Sequence, residues 1–501
     1  MTQTARIDLS LISHTNVGKT TLARTLLRRD IGEVGDRPHV TDVAESDVLI
    51  ESSAGDSLVL WDTPGFGDSG RLLKRLRQTE HPLGWFLAQV WDRFADRPFW
   101  CGQQAMLTVR DASDVVLYVA NASEPPATAA YVGIEMEILS WLGKPVLVLL
   151  NQMGLPRDAA HTGAEVQQWE AHVAKYPCVK VVLPFDAFAR CWVQEGTLLS
   201  HIQAVVPAPK TAAFERLREA WRQRNLTVFD LSMKVLSRQV AALAVDVERI
   251  EEVGLQGKAR AWLGAAANAM AGGARGAHPE LDRAQAALAT RLDRQVRVAT
   301  EELVRLHGLS GKATEEVLQR MGHEFLVLRQ ADADTASVLG GLVSGALGGL
   351  AADLAAGGLT FGAGAVIGGV LGAFGARGLA KAYNLARGAD AGTVRWSSEF
   401  LSSRLVAALM RYLAVAHFGR GRGEFVAGAA PAHWLRAVEE ALNERRKQIE
   451  AAWTLSRSGA ADASAAAVLP IVSVAARTVL ARLYPDSSTL LIQADEPREP
   501  R

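Results

Sequence analysis

The sequence predicts an α/β domain, a parallel-rich sheet flanked by helices, followed by a mostly α-helical region. Three observations carry this. Over residues 1–206 short β-rich runs alternate with helical patterns, as in strands joined by crossover helices. Two prolines in three residues, Pro207-Ala208-Pro209, then interrupt the pattern. Beyond them apolar residues recur every three or four positions, the period of amphipathic helices.

The strands are expected at Ile7–Ile12, Val48–Ser52, Leu58–Trp61, Val115–Ala120, Val146–Leu150 and Val179–Leu183. A long connection, residues 67–112, separates the third from the fourth and holds Trp85, Phe86, Trp91, Phe94, Phe99 and Trp100. Either it is a helix packed on the sheet or it is an insertion that binds a partner. The helical region is expected over 207–492. Its seam Phe229, Met233, Leu236, Val240, Leu243, Val247 and Ile250 is spaced 4-3-4-3-4-3. Further stripes are Leu281, Leu288, Leu292, Ala299, Leu303 and Leu306, and Leu435, Val438, Leu442, Ile449 and Trp453. Such stripes line the inside of a helical bundle more often than they form an intermolecular coiled coil. Residues 493–501 are polar and contain proline, as expected of a disordered tail.

With 501 residues the chain is long enough for two or three domains. Its hydrophobic fraction of 49% and charged fraction of 22% exclude wholesale disorder. Cys101, Cys178 and Cys191 have no metal-ligand spacing and fit a reducing cytosol. No apolar leader core follows Met1, so the first domain is expected in the cytoplasm. The formal charge is zero, divided into −6 over residues 1–206 and +6 over the remainder. That balance argues against nucleic acid as a partner.

The chemistry begins after the first strand, at Ser13-His14-Thr15-Asn16-Val17-Gly18-Lys19-Thr20. A strand that delivers the chain into such a loop lets backbone N–H groups surround phosphate, with the next helix's positive end behind them. Gly18 permits close approach, Lys19 reaches the β- and γ-phosphates, and the Thr20 hydroxyl ligates Mg²⁺. Val17 and Thr21 complete the nucleotide-binding set. Ser13 replaces the motif's first glycine, so the loop must be entered without positive φ or with strain. A second motif, Asp62-Thr63-Pro64-Gly65, ends the third strand. There Asp62 can hold Mg²⁺ and the Gly65 N–H can face the γ-phosphate.

These two motifs resemble those of the Era, TrmE and septin-like P-loop GTPases, over about residues 5–206. Residues 207–501 more loosely resemble the bacterial GTPase family whose C-terminal region is called domain of unknown function 3482. The resemblance implies a switch that hydrolyses GTP to GDP and phosphate with Mg²⁺. It makes Thr41 the switch I threonine and Asp62–Gly65 the start of switch II, so that Lys19, Thr41 and Gly65 serve catalysis. Asn16 matches the asparagine with which some members hold K⁺ against the phosphates. Phe66 stands where Ras-like enzymes place a water-orienting glutamine, so slow turnover is expected unless K⁺, another residue or G-domain dimerisation assists.

The base-recognition pattern N-K-x-D is altered to Asn151-Gln152-Met153-Gly154. Asn151 remains, but the aspartate that would accept from guanine is Gly154, which leaves the choice between guanine and adenine open. Asp186 either approaches the base instead or caps the helix that follows.

From Thr335 to Ala376 there are 13 glycines in 42 residues and one charge, Asp353. Gly341, Gly345 and Gly349 recur at intervals of four, as do Gly364, Gly368 and Gly372, the spacing of close helix contacts in membranes. This hairpin could span or re-enter an inner membrane, lie inside the bundle, or move between the two. The leading expectation is a GTPase switch whose helical region engages a membrane or a membrane-bound partner. The alternatives are a non-catalytic nucleotide-binding module controlling the hairpin, and an RNA- or ribosome-associated GTPase.

Overall fold

The computed structural model describes residues 4–28, 44–78, 96–154, 159–187, 191–249, 279–309, 383–385, 393–417, 431–457, 459–485 and 491. The Gly-rich stretch 335–376, Thr41, the tail 493–501 and most of the aromatic connection, with Trp85, Phe86, Trp91 and Phe94, lie outside them.

Six strands, β1 (Arg6–Ser13), β2 (Glu45–Glu51), β3 (Ser57–Asp62), β4 (Val115–Asn121), β5 (Val146–Asn151) and β6 (Val179–Pro184), form one sheet. Its order is β2-β3-β1-β4-β5-β6. All neighbours are parallel except β2 and β3, which are antiparallel. The reversal follows from length: Ser52–Asp56 is too short for a parallel crossover, which needs a dozen or more residues. β1, β4 and β5 are buried almost throughout, as central strands covered on both faces must be. β2 is largely exposed and carries Glu45, Asp47 and Glu51, charges that blunt an open edge.

The alternation of side chains divides the strands between two helical layers. Ile12, Val116, Tyr118, Ala120, Val148 and Leu150 pack beneath four helices, α2 (Ser69–Leu76), α3 (Arg97–Asp111), α4 (Ala130–Leu142) and α5 (Ala159–Val173). α3 contributes Phe99, Met106 and Val109 to that layer, so this part of the 67–112 connection is a helix packed in the core. Leu9 and Leu117 face the opposite side. With Leu26 of α1 (Lys19–Leu27), Leu198 of α6 (Trp192–Gln203) and Trp221 of α7 (Thr211–Val245), they surround a small apolar space.

The compact unit that contains this sheet comprises Met1–Phe229, Ala416–Ala427 and Leu480–Arg501, so it reaches past the Val206–Pro209 break. There a short 3₁₀ turn, Ala208–Lys210, leads directly into α7, and Lys210 Nζ donates to both Asp114 carboxylate oxygens at 2.6 and 2.8 Å.

The second unit, Asp230–Val415 and Gly428–Val479, is mostly helical. Its described helices are the rest of α7, α8 (Pro279–Leu306), α9 (Ser398–Ala416), α10 (Ala432–Asn443), α11 (Arg446–Ser456) and α12 (Ala461–Leu483). Met233, Leu236, Val240 and Leu243 are buried as the seam predicts, but α7 ends at Val245 and Val247 is 40% exposed. Val247 belongs to β7 (Val247–Arg249), the first strand of an antiparallel sheet ordered β7-β9-β8. The others are β8 (Tyr383–Leu385) and β9 (Thr393–Trp396), a sheet that the helical periodicity did not announce. Among the described residues one helix, α12, is long and apolar enough to cross a membrane. Its Val468, Val472, Ala475 and Val479 form a buried stripe.

Candidate nucleotide site

Every candidate residue that the structure describes lies at or just beyond the carboxyl end of a strand in the six-stranded sheet. In open α/β sheets that edge is where ligands bind. The phosphate loop follows β1, Asp62 ends β3, Asn151 ends β5, and Asp186 follows β6.

The loop turns through two left-handed residues, Asn16 at φ +64° and Gly18 at φ +84°. Ser13 has no positive φ, and its hydroxyl donates to the His14 carbonyl at 2.6 Å. The missing first glycine therefore leaves no strain at Ser13, and Asn16 takes the left-handed turn, which asparagine tolerates better than most residues. Asn16 is exposed, while Val17, Lys19 and Thr21 are buried. Gly18 caps α1, whose first residues Lys19 and Thr20 meet the end of β3. Lys19 Nζ donates to Asp62 Oδ1 at 2.6 Å, and Thr20 Oγ1 donates to Asp62 Oδ2 at 2.7 Å. A hydroxyl and a carboxylate oxygen thus converge where β1 and β3 end. Hard oxygens of this kind are what Mg²⁺ takes, so Thr20 and Asp62 fit that ion.

The turn after Asp62 is tied to the loop by its backbone. Phe66 N–H donates to Ser13 O at 2.9 Å and Thr15 N–H to Phe66 O at 3.2 Å. The Thr63 hydroxyl donates to Leu11 O at 2.6 Å. A Cβ on Gly65 would stand 3.3 Å from the Thr15 backbone, tighter than ordinary contact, so any larger residue would push the two segments apart by a few tenths of an ångström. Phe66 itself is buried in the core beside Leu72 and Phe99. Its ring is a packing group.

At the base-recognition loop, Asn151 is fully buried and engaged at both ends of its amide. Nδ2 donates to Val17 O at 2.8 Å, and Oδ1 accepts from Ala187 N–H at 2.8 Å. It therefore braces the phosphate loop. Asp186 Oδ2 accepts from the Met153 N–H at 2.7 Å, which places this carboxylate against the altered motif. It does not cap α6, which starts at Trp192 with Cys191 as its cap. Gln152 is held at φ +59°, a conformation few non-glycine residues adopt.

Sequence reasoning missed two residues that hold these segments, Thr63 and Glu135. Glu135 is fully buried on α4 and bonds His14 Nδ1 at 2.7 Å, while the Tyr118 hydroxyl donates to its other oxygen at 2.7 Å. Burial pushes the Glu135 carboxyl above the usual range, against the pull of hydrogen bonds from His14, Tyr118 and Ser69. Burial also pulls the His14 imidazole down, but the Glu135 hydrogen bond and charge outweigh it and leave it above its ordinary value. A signal was present: Val132, Glu135, Met136 and Leu139 share one helical face, and Glu135 is the charge on an otherwise apolar stripe.

A parallel-rich sheet with an antiparallel second strand, a Gly-Lys-Thr loop after β1 and an aspartate ending β3 that meets it together define a P-loop GTPase domain. Residues 8–152 match the family described as 50S ribosome-binding GTPase. Residues 178–469 match the domain of unknown function DUF3482, and the chain belongs to that family. The chain is 24% identical over 200 residues to GTPase Era of Geotalea uraniireducens (strain Rf4), covering 40% of this chain and 55% of that protein. Of solved structures, it is similar to a variant Era of Aquifex aeolicus bound to GDP.AlF4-, at 17% identity. That likeness covers 40% of this chain and 57% of the other, with a TM-score of 0.30. It is also similar to the FeoB G-domain from Methanococcus jannaschii, at 17% identity over 36% of this chain and 85% of that one, with a TM-score of 0.21.

Proposed function

We propose that the protein binds GTP, hydrolyses it to GDP and phosphate, and uses the cycle to control how its helical region engages a membrane or a membrane-bound partner. The observation that carries the hydrolytic part is the convergence of Lys19 and Thr20 on the two oxygens of Asp62. The loop N–H groups and the start of α1 face phosphate, and the Lys19 ammonium leaves Asp62 to take the β- and γ-phosphate charge. Thr20 and Asp62, with Thr41, would hold Mg²⁺, whose chemistry when bound is to neutralise charge between those phosphates. The Gly65 N–H supplies a donor for the γ-phosphate, and the bonds from Phe66 to Ser13 and Thr15 keep it facing the loop. Phe66 offers no group to orient water, so hydrolysis would need another residue, a second G domain, or K⁺ held at Asn16, which would supply transition-state charge stabilisation when bound.

Phosphate release from GTP by the full chain, with Mg²⁺ and either K⁺ or Na⁺, tests this. Turnover is expected to be slow in Na⁺ and faster in K⁺. In Lys19→Ala it should fall to the buffer rate, the loss of a phosphate-binding cation being worth at least about 100-fold. The burial of Phe66 favours one second reading, a nucleotide-binding module without catalysis. Tight GTP binding with no turnover in any cation would decide for it. Support for the membrane part comes from the 42 residues, 335–376, that contain a single charge. Membranes extracted with alkaline carbonate should retain the protein if that stretch inserts; full release to the supernatant rules out an integral span.

A further inference from the structure

We propose that Glu135 is a positioning residue of the nucleotide site, one buried carboxylate that sets the phosphate loop and the switch II segment in register. The proposal rests on the nucleotide-binding reading above. One Glu135 oxygen meets His14, the second residue of the phosphate loop. The other accepts from Tyr118 of β4, and Ser69, the first residue of α2, also donates to the carboxylate. Ser69 follows Asp62 by seven residues, so the carboxylate joins the segment carrying Lys19 to the segment carrying Asp62 and Gly65. The His14 ring is fixed from a second side by Tyr131, stacked with centroids 4.5 Å apart and planes 29° from parallel.

Stability alone does not account for a carboxylate here. The same face of α4 is otherwise filled by Val132, Met136 and Leu139, and a well-packed apolar residue in place of a buried ion is often neutral or stabilising. What an apolar side chain cannot do is bond three segments at once in fixed directions. The backbone bridge between His14 and Phe66 joins the same two segments, and Gly65 lets them approach closely. Loosening the carboxylate therefore releases the first peptide of the phosphate loop, and bound nucleotide leaves faster.

The test is the release rate of the fluorescent nucleotide mant-GDP from the full chain in Mg²⁺. The variants are Glu135→Gln, His14→Gln, the double variant, and Ile202→Ala, a buried cavity substitution in α6 of the same unit. Each single variant is expected to release mant-GDP about tenfold faster than wild type, the usual scale for removing an orienting partner. The double variant should stay within about twofold of either single, because one contact is lost once. Ile202→Ala should lower Tm and leave release within about twofold. Unchanged release in Glu135→Gln and His14→Gln overturns the proposal, as does equal acceleration by Ile202→Ala or multiplied effects in the double variant. Should Glu135→Gln fail to fold, His14→Gln, at a partly exposed loop position, decides by the same thresholds. If wild type does not bind mant-GDP, the nucleotide reading fails and the proposal with it. Binding with unchanged release removes the proposal alone.

Discussion

A single methyl group tests the phosphate loop. Gly18 combines φ +84° with a Cβ position 2.8 Å from Asn151 Nδ2, so alanine there is strained and displaces the brace from Asn151 to Val17. Gly18→Ala should weaken GTP binding at least about tenfold by calorimetry, strain in this region costing about 1–3 kcal/mol. Unchanged affinity would show that Asn151 braces nothing essential. Asp186 allows a test of base choice. If its carboxylate accepts from guanine, Asp186→Asn offers an amide donor instead, and preference should move from GTP towards XTP, whose base carries a carbonyl at that position. A variant that keeps its GTP preference would remove Asp186 from base recognition. Lys19, Thr20 and Asp62 were legible because each belongs to a local motif with its own chemistry. Glu135 was not, because its partners His14 and Ser69 lie 121 and 66 residues away in the chain and only the fold brings them together.

Between elements, the clearest contact joins the β2–β3 hairpin to α7. Asp56 is fully buried and accepts two hydrogen bonds from Arg216 at 2.8 Å, one from the Ser52 hydroxyl at 2.7 Å and one from Ala5 N–H at 3.1 Å. The Arg216 hydrogen bonds hold the Asp56 carboxyl well below the usual range, against burial, which raises it. A carboxylate depressed in the folded state contributes stability that is complete above its unfolded value, near 3.9, and is lost as pH falls below it. Thermal unfolding of the wild type should therefore lose this contribution below about pH 4. Asp56→Asn should be less stable at pH 7 by about 2 kcal/mol and should show a shallower acid loss. Parallel curves for the two proteins would mean that Asp56 titrates alike folded and unfolded. The sequence placed five strands of this sheet within a residue at each end, because they are largely apolar runs, while the exposed edge strand β2 begins three residues before the expected Val48. The parallel-rich reading left the direction of β2 unassigned, and the five-residue gap before Ser57 makes that strand antiparallel. Pro207 and Pro209 suggested a separation that Lys210 and Arg216 close, since side chains that dock onto Asp114 and Asp56 leave no local pattern.

For the molecule as a whole, the neutral charge conceals an acidic part, residues 1–206, and a weakly basic helical part. The helical stripes were readable because burial follows the 3.6-residue period, as at Met233, Leu236 and Val240. The sheet β7-β9-β8 was not, because three- and four-residue strands are too short to show a period. The membership in the DUF3482 family assigns no activity to this part, so the nucleotide site is where function can be tested first. If the proposed function holds, a guanine nucleotide binds where the phosphate loop, Asp62 and Asp186 meet the carboxyl edge of the sheet. Equilibrium displacement of mant-GDP from the purified full chain in Mg²⁺, by GTP and by ATP in parallel, tests it most directly. GTP should compete at least about 100-fold more strongly than ATP, the scale on which buried polar partners discriminate between bases. Equal competition by the two nucleotides, or none by either, would show that the site does not select a guanine nucleotide.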